Sequence, residues 1–130
     1  KMKMRRDHLV PLARQAVAIL QEVHQLHGKG QFAFPALSST TKVISDNTLN
    51  RALVRIGYAK EDVCPHGFRA SARTMLDEVL HQRPELIEHQ LAHVVKGPLG
   101  RTYNRTQFLD ERREMMQAWA DYLDRIKVEL

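Results

Sequence analysis

The stretch GRTYNRT, residues 100–106, places a tyrosine between two arginines, an arrangement that could support chemistry on an anion. Arg101 and Arg105 lie two positions before and two positions after Tyr103. A phenol with a pKa of about 10 is a poor nucleophile at neutral pH, so nearby cations and a base would have to activate it. The plain alternative is a surface tyrosine that packs its ring and hydrogen-bonds its tip. The local sequence leaves both interpretations open.

A second group that could bind an anion is His66-Gly67-Phe68-Arg69. Residues three apart point the same way on a helix, and the start of a helix presents backbone N–H groups to anions. Arginine offers a planar fork that matches two phosphate oxygens, and histidine can exchange a proton near neutral pH. The alternative is that His66 only caps the helix and Arg69 lies on a solvated face.

His89 and His93 are four residues apart, which is the spacing of a zinc-binding pair on a helix. The residues between them are Gln90, Leu91 and Ala92, so the glutamate that a metalloprotease places after its first histidine is missing. No further acidic or cysteine ligand follows at a plausible spacing. We therefore expect neither a metal nor another cofactor, and a structural hydrogen bond is the plain alternative for His93.

The charge of the chain is positive and clustered. The 130 residues contain 20 Lys and Arg against 15 Asp and Glu, a net charge of +5 with a pI near 9.7. Such a balance favours a polyanionic partner, nucleic acid first. The single cysteine, Cys64, allows no internal disulfide and suits a reducing compartment, and no apolar run is long enough to span a membrane. The clustered cations lie at the start of the chain and after residue 100: Lys1, Lys3, Arg5, Arg6, Arg14, Arg101, Arg105, Arg112 and Arg113.

Helical periodicity dominates the elements that must position these groups. Residues 1–10 indicate a short charged strand, and a helix follows from Leu12 to Gly28. Residues 28–44 are rich in Gly, Pro, Ser and Thr and indicate a loop. A helix capped by Ser45 or Asp46 and ended by Gly57 comes next, then one over 66–82, a short one from Pro84 and a long final one. The prediction is a mainly α helical bundle with a small β-strand remnant at the N-terminus.

Each of these motifs alone is a weak signal of function. Together, the ordered set of an early lysine, His-x-x-Arg, Leu-x-His and a tyrosine is specific. This set resembles the catalytic domain of the tyrosine recombinase (phage integrase) family, and most of all its prophage and genomic-island members of the satellite-phage type. The similarity covers essentially the whole chain. It is carried by KMKMRRDHLVPLARQA, HGFRASARTMLDEVL, EHQLAH and TYNRTQFLDERREMMQAWADYL.

The resemblance implies a role for each of these residues. Tyr103 would attack a DNA phosphate and hold it as a 3′-phosphotyrosyl bond, with Arg69 clamping a phosphate oxygen. His66 would move a proton or orient the phosphate, and His93 would donate a further hydrogen bond. Lys3, with Lys1 as a rival, would protonate the departing 5′-oxygen. The remaining DNA contacts are expected from Arg5, Arg6, Arg101 and Arg105.

The family also places a first catalytic arginine before the lysine strand, and this chain offers no match for it. We therefore expect residues 1–130 to form the C-terminal part of an integrase catalytic domain, without its upstream part or the DNA core-binding domain, and to be inactive alone. The expected activity is integration and excision of mobile DNA at double-stranded attachment sites, in the cytoplasm of a bacterium, with self-association on DNA. The alternatives are a non-catalytic DNA-binding module of the same fold, with TLNRALVRIGY as a recognition helix, and a metal-dependent hydrolase.

Overall fold

A computed structural model describes residues 8–28, 30–36, 39–59, 61–93 and 108–128. Five helices and one two-stranded antiparallel sheet are found in these ranges, and the described residues fall into two compact units, one of residues 15–70 and one of residues 8–14 and 71–128. In chain order the elements are α1 (Arg14–His27), β1 (Pro35–Ala36), β2 (Ser39–Val43), α2 (Asn47–Arg55), α3 (Pro65–Glu78), α4 (Pro84–Gln90) and α5 (Leu109–Val128).

The unit that contains α4 and α5 has a small apolar core. Leu76 at the end of α3, Leu86 and Ile87 in α4, and Met115 in α5 are all at most 4% exposed. Burial of side chains of this size contributes about 1.5–3 kcal/mol each. The half-buried residues packed against these four are Leu80, Leu91, Phe108, Met116 and Trp119.

Arg112, in α5, is a fully buried charged residue beside this core. Its Nε donates to Gln90 Oε1 at 2.9 Å, and its Nη2 donates to the backbone oxygen of Leu9 at 2.5 Å. Burial lowers the pKa of this guanidinium below its ordinary value. These two hydrogen bonds offset part of the cost of burying the charge, and they fix α4 and the segment before α1 against α5.

Polar contacts also hold Arg14, the first residue of α1, to α5. The backbone N–H of Arg14 donates to Gln117 Oε1 at 3.0 Å, and Gln117 Nε2 donates to Asp121 Oδ1 at 2.7 Å. The ion pair between Arg14 and Asp121 is long, 3.9 Å, and exposed, so it contributes little. The hydrogen bond to the backbone is therefore the stronger of the two contacts that Arg14 makes with α5.

The other unit contains α1 after Arg14, both strands, α2 and the first residues of α3. Pro35 pairs with Val43 and Ala36 with Ser39, and the Ile44 N–H donates to Phe34 O at 3.1 Å. Asp46 stands at the N-cap of α2 without a side-chain cap bond. The helix ends in Gly57, whose φ of 104° is left-handed. There Gly57 N–H donates to Val54 O and Tyr58 N–H to Leu53 O, the paired bonds of a Schellman motif.

The mainly α prediction and the presence of a small sheet are confirmed. The two strands of this sheet lie at 35–43, however, within the stretch predicted as loop. Residues 1–7 of the predicted N-terminal strand lie outside the described residues, and 8–10 are in neither helix nor strand. Two apolar residues, Phe68 in α3 and Val79 just after its end, are solvent-exposed, at 58% and 47%.

Candidate active site

His66 and Arg69 lie in the first two turns of α3, as predicted. The helix begins at Pro65, and Gly67 N–H donates to Cys64 O at 2.9 Å, which closes the entering turn. Proline suits this place because its missing N–H would have no partner within the first turn. The side chain of His66 is exposed and that of Arg69 is half-buried. Their spacing puts both on the N-terminal end of a 14-residue helix, where backbone N–H groups and the helix dipole favour an anion.

His93 lies just past the end of α4 and belongs to the capping motif of that helix. The last helical residue is Gln90, followed by Leu91 as C-cap and by Ala92 with a left-handed φ of 55°. Ala92 N–H donates to His89 O at 3.0 Å, and His93 N–H donates to Glu88 O at 2.9 Å. These are the two bonds of a Schellman motif, here closed by alanine instead of glycine. The backbone of His93 is thus fixed by the end of α4.

The side chain of His93 is fixed by the same glutamate. Its Nδ1 lies 2.5 Å from Glu88 Oε2, and the other carboxylate oxygen of Glu88 accepts a hydrogen bond from Arg73 Nε at 2.8 Å. Burial alone would raise the pKa of Glu88, but the hydrogen bonds and charges of His93 and Arg73 hold that pKa below its ordinary value. The carboxylate is therefore the form in which this contact exists, and it joins α3, α4 and His93.

The neighbouring His89 does not share a helical face with His93 as a metal pair would. His89 is 6% exposed inside α4, and its ring lies edge-on to Phe108 with 6.3 Å between ring centroids. His93 lies beyond the helix and is about half exposed. Within the described ranges, no three His, Cys, Asp or Glu side chains come together where they could hold a metal ion.

The structure places the described candidate residues in both units. His66 and Arg69 belong to residues 15–70, and His93 belongs to the unit that contains α4 and α5. The other residues named from the sequence lie outside the described residues: Tyr103, Lys3, Arg5, Arg6, Arg101 and Arg105. No helix in the described part of the chain combines the length and apolar character needed to cross a membrane.

Several of the proteins to which the chain is similar are phage or prophage integrases. The chain is 46% identical to the integrase of Enterobacteria phage P4 over 125 residues, and these residues are 95% of the chain. It is 45% identical over 125 residues (96% of the chain) to the prophage integrase IntZ, and 44% identical over 121 residues (93%) to IntA, both of Escherichia coli K12. Over nearly its whole length the chain resembles a segment of phage and prophage integrases. It spans 28–30% of the length of these three relatives. No family model and no solved structure matches it.

The sequence patterns pointed to neither Arg73 nor Glu88, which contact each other and hold the side chain of His93. The available signal was the spacing of Glu88 and His93. The longer bond of a Schellman motif joins two residues that are five apart in the sequence, as Glu88 and His93 are. The motif was difficult to recognise from the sequence, because its left-handed position, residue 92, is alanine and glycine is the usual residue there.

Proposed function

We propose that this chain is the C-terminal part of the catalytic domain of a tyrosine-type site-specific recombinase. The observation that carries the proposal is the similarity to integrases over more than nine-tenths of the chain, in a sequence that also contains the ordered lysine, His-x-x-Arg, Leu-x-His and tyrosine set. The substrate is double-stranded DNA at the attachment sites of a mobile element. The reaction would take place on chromosomal and phage DNA in the bacterial cytoplasm.

In the proposed cleavage step, Tyr103 is the nucleophile. A bond forms between its hydroxyl oxygen and the scissile phosphorus, and the bond from phosphorus to the 5′-oxygen breaks. The proton of the phenol passes to His66, and the departing 5′-oxygen takes a proton from Lys3. The product is a 3′-phosphotyrosyl bond, which the 5′-hydroxyl of another strand attacks in the reverse sense. Because the phosphate stays esterified throughout, the step requires no nucleotide hydrolysis.

The placement of Arg69 supports its role as the phosphate clamp. Charge accumulates on the non-bridging phosphate oxygens in the transition state, and a preorganised cation stabilises it. A half-buried arginine in a regular helix is held more firmly than one on a loop, so less side-chain entropy is lost on binding. The start of α3 adds the positive end of a helix dipole near His66.

The contacts with the DNA backbone are proposed to come from the two most basic stretches of the chain, through Arg5, Arg6, Arg101 and Arg105. Contacts of arginine with phosphate position the protein without reading sequence, and each one releases counterions from the DNA. Affinity should therefore fall steeply with salt. Self-association on DNA is part of the proposal, because exchange of strands requires two cleaved duplexes.

The 130-residue chain on its own is proposed to be inactive. The family pattern requires a first arginine on the scissile phosphate, and the chain supplies no match for it. Loss of one charged partner of this kind costs roughly 10²–10³-fold in rate. A longer polypeptide that includes this segment would supply the missing arginine and the DNA core-binding domain.

A covalent-trapping assay tests the proposal. The full-length integrase is incubated with nicked duplexes tiled across the DNA that flanks its coding sequence, and protein–DNA adducts are separated under denaturing conditions. An adduct is expected with the full-length protein and none with residues 1–130 alone. Tyr103→Phe should abolish it, while Tyr58→Phe and Tyr122→Phe, at the two other tyrosines, should not. DNA binding without any adduct from the wild-type protein would instead identify a non-catalytic DNA-binding module.

A further inference from the structure

Glu88 is the only residue, among those the structure describes, that contacts His93 through both its backbone and its side chain. The backbone oxygen of Glu88 accepts the His93 N–H at 2.9 Å, and its carboxylate lies 2.5 Å from the ring Nδ1. One residue thereby sets both the position of the His93 main chain and the rotation of its ring.

The carboxylate also determines which ring nitrogen carries the proton. An ionised carboxylate only accepts hydrogen bonds, so Nδ1 must be the donor in this contact. Nε2 is then the nitrogen left for a ligand. In the neutral ring Nε2 is an acceptor, and after protonation of the ring it becomes a donor while Nδ1–H stays on Glu88. A donor at Nε2 is what a phosphate oxygen requires.

Arg73 holds the glutamate in turn. Its Nε donates to Glu88 Oε1 at 2.8 Å, on the carboxylate oxygen that does not face His93. The second acidic neighbour of Arg73, Asp77, is 3.9 Å away, so the bond to Glu88 is the closer one. The side chain of Glu88 is 21% exposed, whereas those of Arg73 and His93 are each 47% exposed. The glutamate is therefore shielded between two partners that reach solvent.

We infer that Arg73 and Glu88 are positioning residues for His93, which they hold with Nδ1 on the Glu88 carboxylate so that Nε2 of the protonated ring can donate to the oxygen of a DNA phosphate. This inference rests on the proposed function for the identity of the phosphate. It adds to that function two residues that act through His93.

The direct test is the tautomer of His93, read from long-range ¹H–¹⁵N NMR spectra of ¹⁵N-histidine-labelled protein at a pH where the ring is neutral. The wild-type chain is expected to carry the proton on Nδ1. Glu88→Ala should move it towards Nε2, the preference of an unconstrained histidine. Glu85→Ala is the matched control, because Glu85 lies on the same helix and pairs with Arg83 at 3.7 Å. A wild-type His93 with its proton on Nε2 overturns the inference.

A double-mutant cycle in the full-length integrase tests the action through His93. Glu88→Ala and Arg73→Met are expected to lower the rate of covalent adduct formation by about 10- to 100-fold, as misplaced catalytic groups do, while Arg73→Lys retains most of it. In a His93→Ala background, Glu88→Ala should cause no further loss. An undiminished loss in that background means that Glu88 acts elsewhere, and it overturns the inference.

The two readouts separate this inference from the proposed function. If the wild-type integrase forms no adduct on any DNA, the proposed function fails, and the tautomer of His93 alone then decides the positioning role. If adducts form and depend on Tyr103 but the tautomer does not respond to Glu88→Ala, the proposed function stands and the positioning role is refuted.

Discussion

Glu88 binds His93 twice, through its backbone oxygen at 2.9 Å and through its carboxylate at 2.5 Å. The first bond closes the capping motif of α4, and the second orients the imidazole. The end of a short helix thus fixes a histidine for which we propose a contact with the DNA phosphate. Glu88 therefore affects both the stability of the chain and the orientation of the His93 ring. Substitutions at other residues of the same contacts test these two effects separately.

Ala92→Gly should stabilise the chain. Ala92 adopts a left-handed φ of 55°, a conformation that costs a residue with a Cβ about 1–2 kcal/mol. Glycine removes that cost but loses more entropy on folding, so we expect a net gain of up to about 1 kcal/mol in the free energy of unfolding. Urea titration measures it. Ala70→Gly, inside α3, is the control and should cost about 1 kcal/mol. Equal losses at both positions would contradict a left-handed Ala92.

Arg112→Met should destabilise the chain by about 2–4 kcal/mol, because it leaves Gln90 Oε1 and the Leu9 backbone oxygen without their donor. Methionine keeps much of the apolar stem, so the loss reports mainly on the hydrogen bonds. The control is Arg113→Met, which removes an exposed arginine paired with Asp110 and should change stability by no more than about 0.5 kcal/mol. Similar unfolding midpoints for the two variants would show that the hydrogen bonds of buried Arg112 do not stabilise the chain.

The contact between Glu88, His93 and Arg73 should add an acid-sensitive component to stability. The pKa of Glu88 is lower in the folded chain than its ordinary value of 4.5, so folding favours the carboxylate. The stabilisation is present above that ordinary value and is lost as the pH falls through the lowered pKa. Glu88→Gln should therefore reduce the free energy of unfolding at neutral pH and flatten its decline below pH 4.5. Urea titrations at several acidic pH values measure this, with Glu85→Gln expected to parallel the wild type.

Salt dependence tests the proposed arginine contacts with DNA. Each phosphate contact removed should reduce the slope of log affinity against log salt concentration by about 1. Arg101→Gln and Arg105→Gln in the full-length integrase are each expected to weaken binding similarly on all DNA sequences and to lower that slope. Arg125→Gln is the control, because Arg125 lies over the Tyr122 ring, 5.4 Å from its centroid, on α5. An unchanged slope for the first two variants would remove them from the interface.

The helices could be predicted from sequence because their signals are local. Apolar spacing, Pro84 at the start of α4 and Gly57 after α2 each act within a few residues. The hairpin at 35–43 was missed because β1 has two residues and Ser-Thr-Thr in β2 carries no apolar alternation. A strand so short forms through its partner rather than through its own pattern.

The candidate site was predictable only where side chains share one helix. His66 and Arg69 are three apart, so helical geometry brings them to one face. The contact between Arg73 and Glu88 depends on how α3 and α4 pack, across 15 residues and an intervening turn. The contact between Glu88 and His93 depends on a left-handed conformation at Ala92, which alanine rarely adopts. Tertiary packing and local strain are the two properties that a single sequence leaves unspecified here.

The central claim is that Tyr103 bonds covalently to DNA, and mass spectrometry of the trapped adduct tests it most directly. Trypsin cuts after Arg101 and Arg105 and releases Tyr103 in the peptide TYNR, whereas Tyr58 and Tyr122 leave in different peptides. After nuclease digestion of the adduct, we expect the nucleotide remnant on TYNR, linked through a 3′-phosphate. A remnant on either of the other tyrosine peptides, or on none of the three, would contradict the account.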